Sequence, residues 1–105
     1  MRRWNGWGDE SNDFPLKPEG LAFVRARLGE ARALPDASLA AVLAQVPPSR
    51  LPAHPLIETG AETRVRHVRG QSLPDWLAMR SGEFGIFPDG VACPRNTAEV
   101  RTLLD

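Results

Sequence analysis

Apolar positions recur at three- and four-residue spacing in several stretches of this chain, and proline and glycine break the segments between them. The first stretch follows Pro18, a good first helical residue. Glu19 favours the positive end of a helix, and Leu21, Ala22, Val24 and Leu28 share a broad stripe with Arg25 and Arg27 turned outward. With Gly29 as the stop, the pattern predicts a helix over residues 18–28. A second helix is predicted over residues 36–46. Asp36 or Ser38 caps it, Leu39, Val42, Leu43 and Val46 give the core face, and Pro47-Pro48 ends it. Ser72 opens a third helix, with Pro74 where a lost N–H costs nothing and Asp75 completing a box-like start. Its predicted face is Leu73, Trp76, Leu77 and Arg80, with Met79 to the side and Gly82 as the stop.

The C-terminal stretch reads differently. Val91, Ala92 and Cys93 form an apolar run too short for a helix and suited to a strand covered on both faces. Pro94 ends it, since proline has no N–H for a ladder. Asn96 can cap a following helix while Glu99 reaches back to the N–H of the capping residue. Val100, Leu103 and Leu104 then share a face that is still being written at Asp105. A strand followed by a barely begun helix reads as the opening of an α/β unit whose second strand is missing. The expected fold is mostly α with one or two short β-strands. An exposed strand edge and helix face predict a marginal monomer or one that self-associates.

Between these elements lie segments with candidate chemistry. Trp4-Asn5-Gly6-Trp7-Gly8 is turn-forming and carries two indoles. It reads as a terminal arm packed on a neighbouring surface; burying one indole would contribute on the order of 2–3 kcal/mol. The alternative, an aromatic platform for a nucleobase or sugar, lacks a basic surround in the local sequence. Residues 9–13 hold three acids, a serine and an asparagine but lack the ligand spacing of a calcium loop, so a solvated linker is expected. Residues 47–60 are proline-rich and without periodicity, an extended linker in which His54 is an exposed bystander. Ser49, His54 and Glu58 have no nucleophile elbow or oxyanion donor around them to make a triad. Arg64, Arg66 and Arg69 fit an edge strand or a helical turn. They read as solvated or locally paired, with a phosphate-gripping strip as the alternative. His67 and Cys93 are too few and too distant for zinc, and Asp89 before Gly90 is turn chemistry rather than a catalytic acid.

Composition narrows the classes. Formal net charge is zero, which gives no bulk attraction to nucleic acid or an anionic membrane. There is no transmembrane run, and Met-Arg-Arg-Trp-Asn-Gly is followed by no apolar signal region. A single cysteine cannot form an internal disulfide, which fits a reducing compartment, so the expected location is the cytoplasm.

Two stretches carry a resemblance. Pro88-Asp89-Gly90-Val91-Ala92-Cys93-Pro94 followed by Ala98-Glu99-Val100 resembles the start of the flavin-binding domain in FAD-linked oxidases of the vanillyl-alcohol oxidase type, the PCMH-type FAD-binding domain. Arg69-Gly70-Gln71-Ser72-Leu73-Pro74-Asp75-Trp76 and Arg3-Trp4-Asn5-Gly6-Trp7-Gly8 narrow it to proteins similar to bacterial relatives of alkyldihydroxyacetonephosphate synthase. The resemblance implies a helical N-terminal collar over residues 1–86 and the first strand and helix start of a flavin domain over residues 87–105. In that family a glycine-rich loop after the domain's second strand holds the FAD pyrophosphate, and substrate residues lie further on. The expectation is therefore an N-terminal fragment of a FAD-dependent oxidoreductase with no catalytic, flavin-contacting or metal-binding residue assigned in it, its partner being the remainder of the flavin domain. The alternative is a small non-catalytic protein-interaction module using the tryptophan arm and helical faces.

Overall fold

The computed structural model describes residues 1–105. Five helices and two short strands follow in the order α1 (Pro18–Leu28), α2 (Leu39–Leu43), β1 (Ile57–Glu58), α3 (Ala61–Arg66), α4 (Leu73–Arg80), β2 (Val91–Ala92) and α5 (Thr97–Leu104). The chain is mostly helical with one two-stranded sheet.

α1 has the predicted limits, yet none of its residues is buried. Its stripe faces no core; Arg27 lies over the Phe23 ring instead, 3.5 Å from the centroid, so one turn covers its own aromatic side chain. α2 is shorter than the predicted 36–46. Ser38 takes the cap, accepting from the Ala41 N–H at 3.2 Å, while Asp36 lies outside the helix, 3.6 Å from Arg80. Beyond Leu43 the backbone tightens into three-residue bonds, Gln45 N–H to Val42 and Val46 N–H to Leu43, before the two prolines. α4 has the predicted capping box in full: the Ser72 hydroxyl accepts from Asp75 N–H, and the Asp75 carboxylate accepts from Ser72 N–H. It ends in a Schellman turn, with Gly82 N–H on Met79 and Glu83 N–H on Ala78, and the left-handed φ of +79° at Gly82 explains the glycine.

The core gathers Trp4, Val42, Val65, Trp76, Met79 and Phe84. Trp4 stacks on Phe84 with centroids 6.3 Å apart, and Phe84 stacks on Phe87 at 5.4 Å. The arm that carries Trp4 folds back on itself through Arg3 N–H to Gly8, Glu10 N–H to Met1 and the Met1 ammonium on Asp9 at 2.9 Å. The packed-arm reading of Trp4 therefore holds. The α4 face needs correction: Met79, expected to the side, is in the core, whereas Leu73 and Leu77 are exposed.

The C-terminal strand departs furthest from expectation. It pairs antiparallel with β1, Ile57 opposite Ala92 and Glu58 opposite Val91. Its partner comes from the proline-rich segment expected to be unpaired linker. Prolines at 52 and 55 confine pairing to the short window before Gly60. Ala92 and Cys93 are exposed, so the strand is not covered on both faces. Gly90 allows the approach: a Cβ there would meet Ile57 Cγ2 at 2.5 Å and Leu51 Cδ1 at 3.0 Å. In α5, Asn96 caps through Glu99 N–H at 2.9 Å, and Glu99 reaches back to the N–H of Arg95 rather than that of Asn96.

Two segments far apart in the chain meet at one buried cation. Arg64, 2% exposed, donates from Nε to the Pro88 carbonyl at 2.6 Å and from Nη1 to the Pro47 carbonyl at 2.7 Å. Its backbone lies in α3 beside Val65, so the core and the clamp are set by adjacent residues. Residues 47–50, α3 and residues 87–92 are thereby drawn together.

Replacing Arg64 by methionine keeps the apolar stem but leaves two carbonyls without their charged donor. We expect a loss of about 3 kcal/mol, enough to abolish most of the stability of a chain this small. Urea unfolding followed by circular dichroism measures it, and an unchanged midpoint would refute the clamp.

Candidate functional site

The candidate residues fall into three places. The first is the polar seam around Arg64. Asp89 accepts from the Arg50 backbone N–H at 3.2 Å and from its Nε at 2.9 Å. Those bonds, with the Arg50 and Arg64 charges, hold the Asp89 carboxyl below the usual aspartate value. Asp89 thus fastens residue 50 to the entry of β2, a structural task that fits its reading as turn chemistry rather than acid catalysis. Arg66 pairs with Glu62 at 2.8 Å and donates to the Arg2 and Arg3 carbonyls; Arg69 donates to the Glu83 carbonyl at 2.9 Å. The three arginines form no anion strip. Each holds a different distant segment; Arg64 and Arg66 lie in a helix rather than an edge strand, and Arg69 lies in the bend that follows it.

The second place is the groove between the sheet and α5, a cavity of about 320 Å³ lined by Leu56, Glu58, Thr63, Cys93, Arg95 and Glu99 among others. Glu58 accepts from the Thr63 hydroxyl at 3.1 Å. His54, expected to be exposed, is half-buried, and its Nδ1 accepts from Leu56 N–H at 3.1 Å, closing the turn into β1. Ser49 accepts from Leu51 N–H. The three residues are spent on separate local bonds and make no triad. His67 Nδ1 bonds the Thr63 carbonyl at 2.7 Å, and no group of three or more His, Cys, Asp or Glu is placed to hold a metal ion.

The third is the cleft between the N-terminal arm and α4, about 290 Å³ in volume. Trp7 stands edge-on to Trp76 with centroids 6.2 Å apart. Arg3 and Arg80 line the same cleft, with Asp13, Leu73 and Leu77. The face predicted for α4, Leu73–Trp76–Leu77–Arg80, is real, but it forms a wall of this cleft. Sequence reading missed the convergence of Arg3 and Arg80 on Trp7. The helical spacing puts Arg80 on the Trp76 face; what no local pattern gives is the return of the arm across α4.

Asp9, in the acidic stretch read as a linker, is a turn anchor: it accepts from Ser11 N–H at 3.0 Å and Ser11 Oγ at 2.7 Å as well as from the terminal ammonium. These bonds, the Ser11 N–H foremost, hold its carboxyl far below the ordinary value. The Ser72 hydroxyl and N–H do the same, less strongly, for Asp75.

No helix is long and apolar enough to cross a membrane. No protein-family model matches the chain, and neither a curated protein nor a solved structure does.

Asp9, Asp75 and Asp89 all have folded values below 3.8, the ordinary aspartate figure. Their contribution is fully present above that value and is lost as pH falls below it toward the folded values. Thermal melts should therefore hold steady from neutral pH to just above 4 and fall steeply below. Asp75→Asn should flatten that fall, and a melt profile indifferent to acid would contradict these pairings.

Proposed function

We propose that this chain is a non-catalytic N-terminal part of a FAD-linked oxidoreductase similar to the alkyldihydroxyacetonephosphate synthase relatives, acting in the cytoplasm as a collar for the flavin domain. One observation carries the reading beyond sequence resemblance. The segment that resembles the start of a flavin domain folds as a strand, a proline and an Asn96-capped helix, and that helix buries none of its residues. Val100 is 41% and Leu104 81% exposed, an apolar face suited to being covered by further protein. The accessible area agrees: 8126 Å² against about 5,800 Å² for a compact monomer of this mass.

The residues present do not fit the cofactor itself. Of the left-handed glycines, Gly8 and Gly29 stand alone, and Gly82 and Gly85 share the turn after α4, where the N–H groups of Gly82 and Glu83 are spent on Met79 and Ala78 and Phe84 is packed in the core. In this reading FAD belongs to the rest of the flavin domain, and the collar contributes shape and anchoring. A second reading, the interaction module, is favoured by the antiparallel β1–β2 pair, which leaves the C-terminal strand with a partner inside the chain.

Comparing visible spectra of this chain and of a version carried through the coding sequence after Asp105 tests the proposal. A flavin band in the longer protein alone supports it. A longer protein that stays colourless with added FAD, or the lack of any continuing frame, would overturn it in favour of the interaction module. The isolated chain should also self-associate through the α5 face. Sedimentation rising with concentration is the expected sign, and Leu104→Glu should suppress it.

A further inference from the structure

We propose that the cleft between the N-terminal arm and α4 binds a planar aromatic carboxylate. The argument begins with shape. An apolar cavity of about 150 Å³ accommodates one benzene ring. The cleft measures about 290 Å³, room for a one- or two-ring ligand with a small substituent. Leu73 and Leu77 are exposed beside it, giving it apolar walls. Trp7 is 60% exposed although Trp76 braces it edge-on, so an indole is held in place with much of its surface free to contact a second ring.

Charge sets the rest of the ligand. Arg3 donates one Nη2 bond to the Asn12 carbonyl at 2.7 Å, a neutral partner that leaves its charge uncompensated and other N–H groups for use. Its backbone carbonyl accepts from Arg66 Nη1 at 3.3 Å, which ties this part of the arm to α3. Arg80 has only a loose pair with Asp36, 3.6 Å away between two exposed side chains, which a better acceptor can replace. Two guanidiniums thus line the cleft against one carboxylate, Asp13. That balance suits a monoanion better than a dianionic phosphate, and a planar carboxylate matches the guanidinium fork. The basic surround that the local sequence of the tryptophan arm lacks is completed by Arg80, which only the fold brings to Trp7.

The three tryptophans supply the readout, because each gives one indole N–H signal in a ¹⁵N-labelled sample. Titrating the chain with 2-naphthoate should shift the Trp7 and Trp76 signals saturably and leave Trp4, stacked in the core, in place. Naphthalene-2-carboxamide, the neutral isostere, should bind at least tenfold more weakly. Arg80→Gln should weaken naphthoate at least tenfold with the ligand-free spectrum unchanged. Equal affinity for the amide, equal movement of Trp4, an Arg80→Gln variant that binds as well as the parent, or no saturable shift would each overturn the proposal. The amide comparison needs no variant and stands if Arg80→Gln fails to fold.

Discussion

A guanidinium buried between two proline carbonyls holds this molecule together. Proline lacks an N–H, so segments rich in it cannot join a hydrogen-bonded ladder on both sides. Their carbonyls still need donors when buried. Arg64 supplies two, to residues 17 positions before it and 24 after it in sequence. The Arg50–Asp89 pair closes the same seam from the solvent side. Nη2 of Arg64 has no partner in the protein, which marks the clamp as a charge held for its reach rather than for complete pairing.

What could be read from the residues follows how local the causes are. The capping box of α4, the Asn96 cap of α5 and the limits of α1 depend on neighbours within four residues, and they appear as predicted. The length of α2 depends on a competition between Asp36 and Ser38 that tertiary contact decides: Ala37 N–H goes to the Arg80 carbonyl at 2.8 Å, leaving Ser38 to cap. The burial of Met79 rather than Leu77 depends on which side of α4 the rest of the chain occupies. β1 was hidden because two residues among prolines make no pattern. Arg64 was hidden because an arginine between Thr63 and Val65 in an arginine-rich stretch looks the same whether it faces water or two carbonyls. The Trp7 cleft was half legible: its α4 wall has helical spacing, but its other wall is a returning arm.

The protein has a small knit centre and long unknit parts. Its radius of gyration is 18.2 Å, against about 13 Å for a compact domain of this length, and its extents are 58 × 27 × 23 Å. Seven residues are buried, and they come from the arm, α2, α3, α4 and the turn after α4. α1 and α5 lie outside that centre. A collar for a larger body and a module for a separate partner both place binding energy in those outer parts, and both leave the centre as scaffold.

The link between α1 and α2 has a statistical consequence. Residues 30–36 make no backbone hydrogen bonds, so α1 is tied to the centre by a tether rather than by packing. A helix on a short tether samples a limited volume, equivalent to a local concentration in roughly the millimolar range. Contacts too weak to recruit a free peptide would hold α1 for most of the time. A few exposed apolar side chains therefore suffice for docking from a tether, and a stronger amphipathic stripe would add adhesiveness without adding much occupancy.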